Sequence, residues 1–316
     1  MSDPRITVVV LTHNRIAQLI DTLMHLRALA EHPPIIVADN ASSDGTATMI
    51  ELLFPDVLLV RCGSNMGAAG RNRAVAFVQT PYVAFCDDDT WWTPGSLDHA
   101  VAVLDAYPRV GILNARIEVG ERRDTDPVCA SMQNSPLDSD GLPGPSLIGY
   151  MAGACVMRTS VFRSTRGYDP RFFIGGEEER VALDVLAAGH AIVYCAALGI
   201  AHHPSPMRDS ALRRRLLARN AAWTAWQRLP PGEALRTTAR AFNCFRREKR
   251  FWRDSIALLR GLAWAIRERR RVPDHVLESR DIVKRAALRN PAHVVAQQPG
   301  TNAASHRAHT PEIAEK

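Results

Sequence analysis

Residues Val83 to Trp92 read VAFCDDDTWW, and the rest of the chain is organised around them. Tyr82, Val83, Ala84, Phe85 and Cys86 have strand character and run straight into Asp87, Asp88 and Asp89, so an apolar strand ends in three adjacent carboxylates. Carboxylates at the mouth of a buried strand repel one another and lose hydration, so they are tolerated where a cation, a positive partner or water compensates them. Mg²⁺ or Mn²⁺ suits such a place, because these hard ions take one or two carboxylates together with substrate phosphates and water. The alternative is a solvated acidic turn capping the helix that begins near Pro94.

The strands upstream decide between these readings. Ile6 to Leu11 (ITVVVL) is a continuous β-branched run of the kind buried on both faces of a parallel sheet. Thr12, His13, Asn14 and Arg15 follow as a polar loop, and then Ile16, Leu19, Ile20, Leu23, Leu26 and Leu29 recur at helical spacing. Ile35 to Ala38 is a second buried strand, ending in Asp39-Asn40-Ala41-Ser42-Ser43-Asp44-Gly45-Thr46 before another helical pattern. Val57 to Val60 is a third, followed by Gly63, Ser64, Asn65, Met66, Gly67 and a helix through Arg71 to Val78. Strands alternating with helices across short loops predict βαβ units, with ligands bound beyond the carboxyl ends of the strands. Each polar cluster follows a strand, so all four are expected on one rim.

Farther on, Val110 to Ala115 reads as another strand, and Glu118 to Pro145, polar and without a period, as a variable loop near the site. Gly149 to Met157 is apolar with small residues. Phe172, Phe173, Ile174, Gly175 and Gly176 introduce Glu177, Glu178 and Glu179, which open a helix, and a last strand from Ile192 to Cys195 leads to His202 and His203.

Apolar residues make up 46% of the 316 positions and charged residues 23%, which places the chain among globular proteins. The net charge of +6 would suit nucleic acid, an anionic membrane or a phosphorylated substrate. Most of the excess lies beyond Met207, in long helical patterns that carry Arg213, Arg214, Arg215 and Arg219 with Trp223 and Trp226. In the second of these, Phe242 to Arg271, Phe245, Phe251, Trp252, Leu258, Leu259 and Trp264 mix with many arginines. This is either a helical appendage packed on the first domain or a basic amphipathic surface that contacts a membrane peripherally. No motif supports nucleic acid. Residues 1–206 therefore form the expected catalytic domain, 207–296 a basic helical region, and 297–316 a disordered tail.

The six cysteines, Cys62, Cys86, Cys129, Cys155, Cys195 and Cys244, are widely spaced without a CxxC pair, the pattern of reduced core thiols. No signal-peptide pattern opens the chain and no apolar run reaches membrane-spanning length. A cytoplasmic protein, membrane-associated at most along the inner face, is expected.

Taken together, Thr12-His13-Asn14-Arg15, the Asp39 to Thr46 segment, Asn65-Met66-Gly67 with Arg71-Asn72, and the aspartate run resemble family 2 glycosyltransferases of the GT-A fold over residues 5 to 205. The resemblance implies a Rossmann-like, mostly parallel α/β sheet flanked by helices. It also implies inverting transfer from a nucleotide-diphosphate sugar, usually with Mg²⁺ or Mn²⁺, to a carbohydrate, lipid-linked or small-molecule acceptor, with a UDP- or dTDP-sugar as the favoured donor. By the same resemblance Thr12, His13, Asn14 and Arg15 line the nucleotide pocket, Asp39 meets the base, and Arg71 lies beside the nucleotide or diphosphate. Asp87 and Asp89 match the metal-holding DxD pattern, with Asp87 and Asp88 near the nucleotide. His202, rather than His203, matches the histidine that contributes to metal or diphosphate binding.

The aromatic-rich turn at Phe172 to Gly176 resembles the one that in relatives ends in Glu-Asp, where the aspartate is the general base. Here Glu178 stands in that place, so the sequence departs from the pattern and the base is Glu177 or Glu178. A helix N-terminus stabilised by acidic residues would explain the same glutamates without chemistry. Trp91 and Trp92 either stack on a sugar or anchor the next helix. The rival functions are a sugar-1-phosphate nucleotidyltransferase, which would carry glycine in the loop after the first strand, and a non-catalytic nucleotide-sugar sensor or scaffold.

Overall fold

The computed structural model describes residues 4–204 and 210–289. Its first half alternates strand and helix. β1 (Ile6–Thr12), α1 (Ile16–Arg27), β2 (Ile35–Asp39), α2 (Thr46–Leu53), β3 (Leu58–Arg61), a 3₁₀ turn at Gly67–Ala69, α3 (Gly70–Val75) and β4 (Tyr82–Asp87) follow in order. Then come β5 (Thr90–Trp92), α4 (Ser96–Ala106), β6 (Val110–Val119), β7 (Asp124–Thr125), α5 (Pro127–Gln133), β8 (Ser146–Leu147), β9 (Ala154–Arg158), α6 (Thr159–Ser164), α7 (Glu177–Ala187) and β10 (Ala191–His202). Four helices complete the described chain: α8 (Ser210–Arg228), α9 (Pro231–Arg247), α10 (Phe251–Arg267) and α11 (Asp274–Arg289).

The strands form one mixed sheet in the order β3-β2-β1-β4-β9-β6-β10-β5, with β7 and β8 on its margins. β3, β2, β1 and β4 are parallel, and β6 pairs parallel with β10. β9 runs antiparallel between β4 and β6, and β5 antiparallel to β10. Val8, Val9, Val10, Val37, Val83, Ala84 and Phe85 are fully buried, which is what a sheet covered on both faces demands of its central strands. The chain runs outward from β1 through β2 to β3, then returns to place β4 on the other side of β1. This reversal opens a crevice beyond the carboxyl ends of β1 and β4, where open α/β sheets bind ligands.

The expected fold class holds: this is an α/β GT-A architecture with a basic helical C-terminal region. Several local expectations change. The segment 118–145 is not a bare loop but contains α5, whose start is set by Asp126 accepting from the Val128 amide at 2.9 Å with Pro127 at the first helical position. The last strand is longer than Ile192 to Cys195, continuing to His202 past an irregularity between Cys195 and Gly199. Trp92 is fully buried, and Trp91 is buried between His25, stacked at 4.0 Å between ring centroids, and His203 at 4.7 Å. Both tryptophans therefore anchor the core and neither offers a face to a sugar.

The C-terminal helices share apolar clusters with the sheet domain. Leu183 of α7 packs with Ala225, Leu229, Ala234, Val272 and Val276, and Phe172 packs with Trp223 and Trp264. The boundary drawn between 206 and 207 and the tail expected at 297–316 lie outside the described residues.

Candidate active site

The loop after β1 and the end of β4 close on each other. Thr12 Oγ1 donates to Asp88 Oδ2 at 3.0 Å, and Arg15 Nη1 reaches both Asp88 Oδ1 and Asp89 Oδ2 at 3.2 Å. Asp88 is buried, and desolvation, opposed by Arg15 and reinforced by its two aspartate neighbours, pushes its carboxyl up to about 7. Asn14, in a left-handed conformation, ties this loop to the next: its amide donates to Ser42 Oγ at 2.9 Å and its Oδ1 accepts from the Ser43 amide at 2.7 Å. His13 lies in the same loop, 3.3 Å from Asn14 Nδ2 through Nε2, and its Nδ1 is buried without a protein partner.

Asp39 ends β2 deep in the crevice and accepts from the Ser42 amide at 3.0 Å. It does not cap α2; that role falls to Asp44, which accepts from the Thr46 amide at 3.1 Å. Asp44 also accepts from the Ile16 amide, a second tie between the first two loops.

Asp87 and Asp89 point to different partners. Arg71, buried in α3, donates to Asp87 Oδ1, whose side chain remains half-exposed. Asp89 faces Arg15 and lies 3.9 Å from His202 Nε2, while His203 is occupied with Trp91. Among the described residues no three His, Cys, Asp or Glu side chains close into a ready metal cage. The donor set nevertheless fits a hard divalent ion shared with phosphate oxygens, which needs only one or two carboxylates from the protein. Space has been left for Asp87 in particular: a Cβ on Gly153 would stand 2.5 Å from its Oδ2.

Arg71 also acts electrostatically on the glutamate pair. Glu177 is buried, Glu178 half-buried, and each leaves one carboxylate oxygen, Oε2, buried without a protein partner. Desolvation raises both carboxyls above the ordinary range, and for Glu177 the neighbouring Glu178 adds to it. Arg71 and Arg213 pull the other way on both, while Asp87 adds to the rise at Glu178. Burial opposes the charge on Arg71, but Asp87, then Tyr168, Glu177 and Glu178 outweigh it and hold the guanidinium protonated. Glu179 turns away to pair with Arg280 of α11 at 2.8 Å.

The turn carrying these glutamates is fixed from two sides. Asn72 beside Arg71 grips it, donating to Tyr168 O at 2.6 Å and accepting from the Tyr168 amide at 2.9 Å. Phe173, at φ 65°, accepts from the Ala68 amide at 2.8 Å. On the other side Asn220 of α8 donates to Phe172 O at 2.9 Å and Gly175 O at 2.6 Å, and Arg219 donates to Phe172 O at 3.1 Å. Phe172 itself is enclosed edge-to-face by Trp223 and Trp264. Sequence reasoning singled out neither Asn220, nor Asn72 for this role, nor Arg213 as a counter-charge. The one available signal was the density of polar and aromatic residues on α8.

The loops after β1, β2 and β4 are thus tied together, and Arg71 links Asp87 electrostatically to the glutamates. Comparisons with known proteins bear on what the rim does. A family profile described as Glycosyl transferase family 2 matches residues 7–165. N-acetylglucosaminyl-diphospho-decaprenol L-rhamnosyltransferase of Mycobacterium tuberculosis is 27% identical over 245 residues, spanning 65% of this chain and 78% of that protein. Among solved structures, the mannosyltransferase PcManGT from Pyrobaculum calidifontis, in complex with GDP-Man and Mn²⁺, aligns over 93% of this chain and 84% of its own with a TM-score of 0.54 at 18% identity. Staphylococcus aureus TarS residues 1–349, in complex with UDP-GlcNAc, aligns over 93% and 90% with a TM-score of 0.53 at 15% identity.

Proposed function

The chain belongs to glycosyl transferase family 2 and is a glycosyltransferase; from that premise we propose that it transfers the sugar of a UDP- or dTDP-linked donor to an acceptor hydroxyl, with inversion and with the help of Mg²⁺ or Mn²⁺. The observation that carries this reading is that buried Arg71, hydrogen-bonded to Asp87, also acts electrostatically on Glu177 and Glu178, so both acidic groups share one cation. That arrangement offers a carboxylate to take a proton and, beside it, the groups that would meet a diphosphate.

In this reading Thr12, His13, Asn14, Arg15 and Asp39 receive the nucleoside, with Asp39 accepting from the base. Asp87, Asp89 and His202 would hold the divalent ion, which when bound supplies positive charge against the diphosphate as the leaving group departs. Arg71 keeps Asp87 in place and adds fixed positive charge near that oxygen cluster. Glu178, the half-buried member of the pair, removes the acceptor proton as the hydroxyl attacks the anomeric carbon. Glu177 is the deeper neighbour, its own carboxyl raised by burial and by Glu178.

The acceptor we favour is lipid-linked, by analogy with the mycobacterial relative, whose name specifies a diphospho-decaprenol acceptor. Among the described residues no helix is long and apolar enough to cross a membrane. Residues 1–206 would supply the chemistry and 207–296 the support of the glutamate turn. Replacing Glu178 by Gln tests the assignment: donor binding should persist while transfer falls, and unchanged turnover would overturn it.

A further inference from the structure

α10 has one face committed to the protein and one that is not. Ser255, Leu258, Trp264 and Ala265 are buried, with Leu258 O accepting from Trp223 Nε1 at 2.9 Å. On the outward side Trp252, Ile256, Leu259 and Ile266 are 78%, 47%, 54% and 49% exposed. Their spacing of four, three and seven residues sets them in one stripe along the helix. One position on from Trp252, Leu259 and Ile266 come Arg253, Arg260 and Arg267, all exposed, which form a cationic row parallel to the apolar stripe.

The neighbouring helix extends the cationic side. The outward face of α9, opposite buried Ala234, Ala241 and Phe245, carries exposed Arg236, Arg240, Arg246 and Arg247. Three carboxylates of this hairpin are paired with other helices, Glu248 with Arg214 at 2.7 Å, Asp254 with Arg215 at 3.3 Å and Glu233 with Arg280 at 3.3 Å, while Glu268 just past the end of α10 lies 3.9 Å from Arg171. Among the described residues none of Arg236, Arg240, Arg253 and Arg260 makes an ion pair.

We propose that the outward face of α9 and α10 docks on an anionic lipid bilayer, with Trp252, Ile256, Leu259 and Ile266 entering the headgroup boundary and the flanking arginines meeting lipid phosphates. Charge complementarity names the occupant. A single-helix stripe of apolar side chains with a tryptophan at one end, edged by unopposed arginines, is the pattern of a helix lying in the plane of a membrane interface. A protein partner would be expected to meet a broader apolar patch with carboxylates of this chain at its rim. The same helix carries Trp264, which encloses Phe172 in the turn before Glu177, so docking would present the glutamate turn beside the bilayer. The inference stands whichever donor the site takes, and it adds to a lipid-linked acceptor a surface through which to reach it.

The test is co-sedimentation of the full chain with sucrose-loaded vesicles of pure phosphatidylcholine and of phosphatidylcholine with about one third phosphatidylglycerol, a composition chosen on the order of natural anionic leaflets. The wild-type chain should sediment with the anionic vesicles alone, and binding should fall as salt is raised. Each of Arg253→Gln and Arg260→Gln should lower the partition coefficient roughly fivefold. Trp252→Ser with Leu259→Ser should abolish sedimentation while thermal unfolding and hydrolysis of the donor in solution stay at wild-type levels. Absence of binding to anionic vesicles, or equal binding by the serine variant, overturns the proposal. So does a wild-type dimer in light scattering that the serine variant dissolves, since the stripe would then be a contact between copies. Loss of donor hydrolysis is a separate readout that concerns the glutamate and aspartate rim and leaves the docking result to be judged by sedimentation.

Discussion

Arg71, buried in α3, donates a hydrogen bond to Asp87 at the carboxyl end of β4, and its charge also acts on Glu177 and Glu178. One cation therefore holds together two acidic groups that would otherwise repel. Replacing Arg71 by Met should destabilise the fold by on the order of 3 kcal/mol, because it leaves Asp87 and the glutamates uncompensated. Thermal unfolding checks this, and Arg71→Lys should recover part of the loss in stability but little activity, since an ammonium does not reproduce the fork geometry of a guanidinium.

The glutamate pair predicts a pH effect with a definite sign. Glu177 binds its proton more tightly folded than unfolded, so the folded state holds more protons as pH rises above the unfolded value of 4.5. Stability should fall with rising pH from there until the folded carboxyl ionises, and level off beyond. Glu177→Gln should flatten that slope and raise the melting temperature at neutral pH. A variant that follows the wild-type curve would show that Glu177 is not held in this desolvated state.

The same pair sets the pH profile of the reaction. A base with a raised carboxyl must lose its proton to act, so kcat/KM should climb with pH through an apparent pKa above the ordinary carboxylate range. Glu178→Gln should lower kcat roughly 10²- to 10⁴-fold and remove the rising limb, with donor affinity kept.

How much of this was legible in the sequence depends on the kind of contact. β1, β2 and β4 declared themselves because strands buried on both faces must be apolar throughout, and the polar loops after them could only gather at one edge. The antiparallel insertion of β9 left no comparable mark: Ala154 to Met157 is apolar whichever way it runs. α5 was hidden because seven residues give no helical period, although Asp126-Pro127 is a recognisable start. Asn72 and Asn220 were illegible for a deeper reason. They act by gripping backbone 96 and 48 positions away, and backbone carbonyls look the same in every sequence.

Those clamps predict a separable defect. Asn220→Ala removes the donor to Phe172 O and Gly175 O and should cost about 1 to 3 kcal/mol of stability. It should also lower kcat while leaving donor affinity nearly unchanged, because the side chain holds the glutamate turn and touches none of the nucleotide loops. A pure rise in KM for the donor would place Asn220 in a different role.

Two glycines test the spacing of the rim. At Gly153 an added Cβ would stand 2.5 Å from Asp87 Oδ2, so Gly153→Ala should displace that carboxylate and reduce activity at least tenfold, by the sensitivity of reacting groups to small displacements. At Gly67 the collision is with backbone, the Phe173 carbonyl oxygen, at a φ of 58°, so Gly67→Ala should destabilise the fold as well. Activity assays beside thermal unfolding separate the two outcomes.

On the reading proposed above, the rim from Thr12 to His202 is a nucleotide-sugar site whose aspartates engage a divalent ion. Titration calorimetry of UDP-, dTDP-, GDP- and CMP-sugars against the wild-type chain and Asp89→Asn, each with and without Mn²⁺, tests it most directly. One nucleotide class should bind, its affinity should depend on the metal, and Asp89→Asn should lose that dependence. Binding by no nucleotide, or binding indifferent to both Mn²⁺ and Asp89, would contradict it.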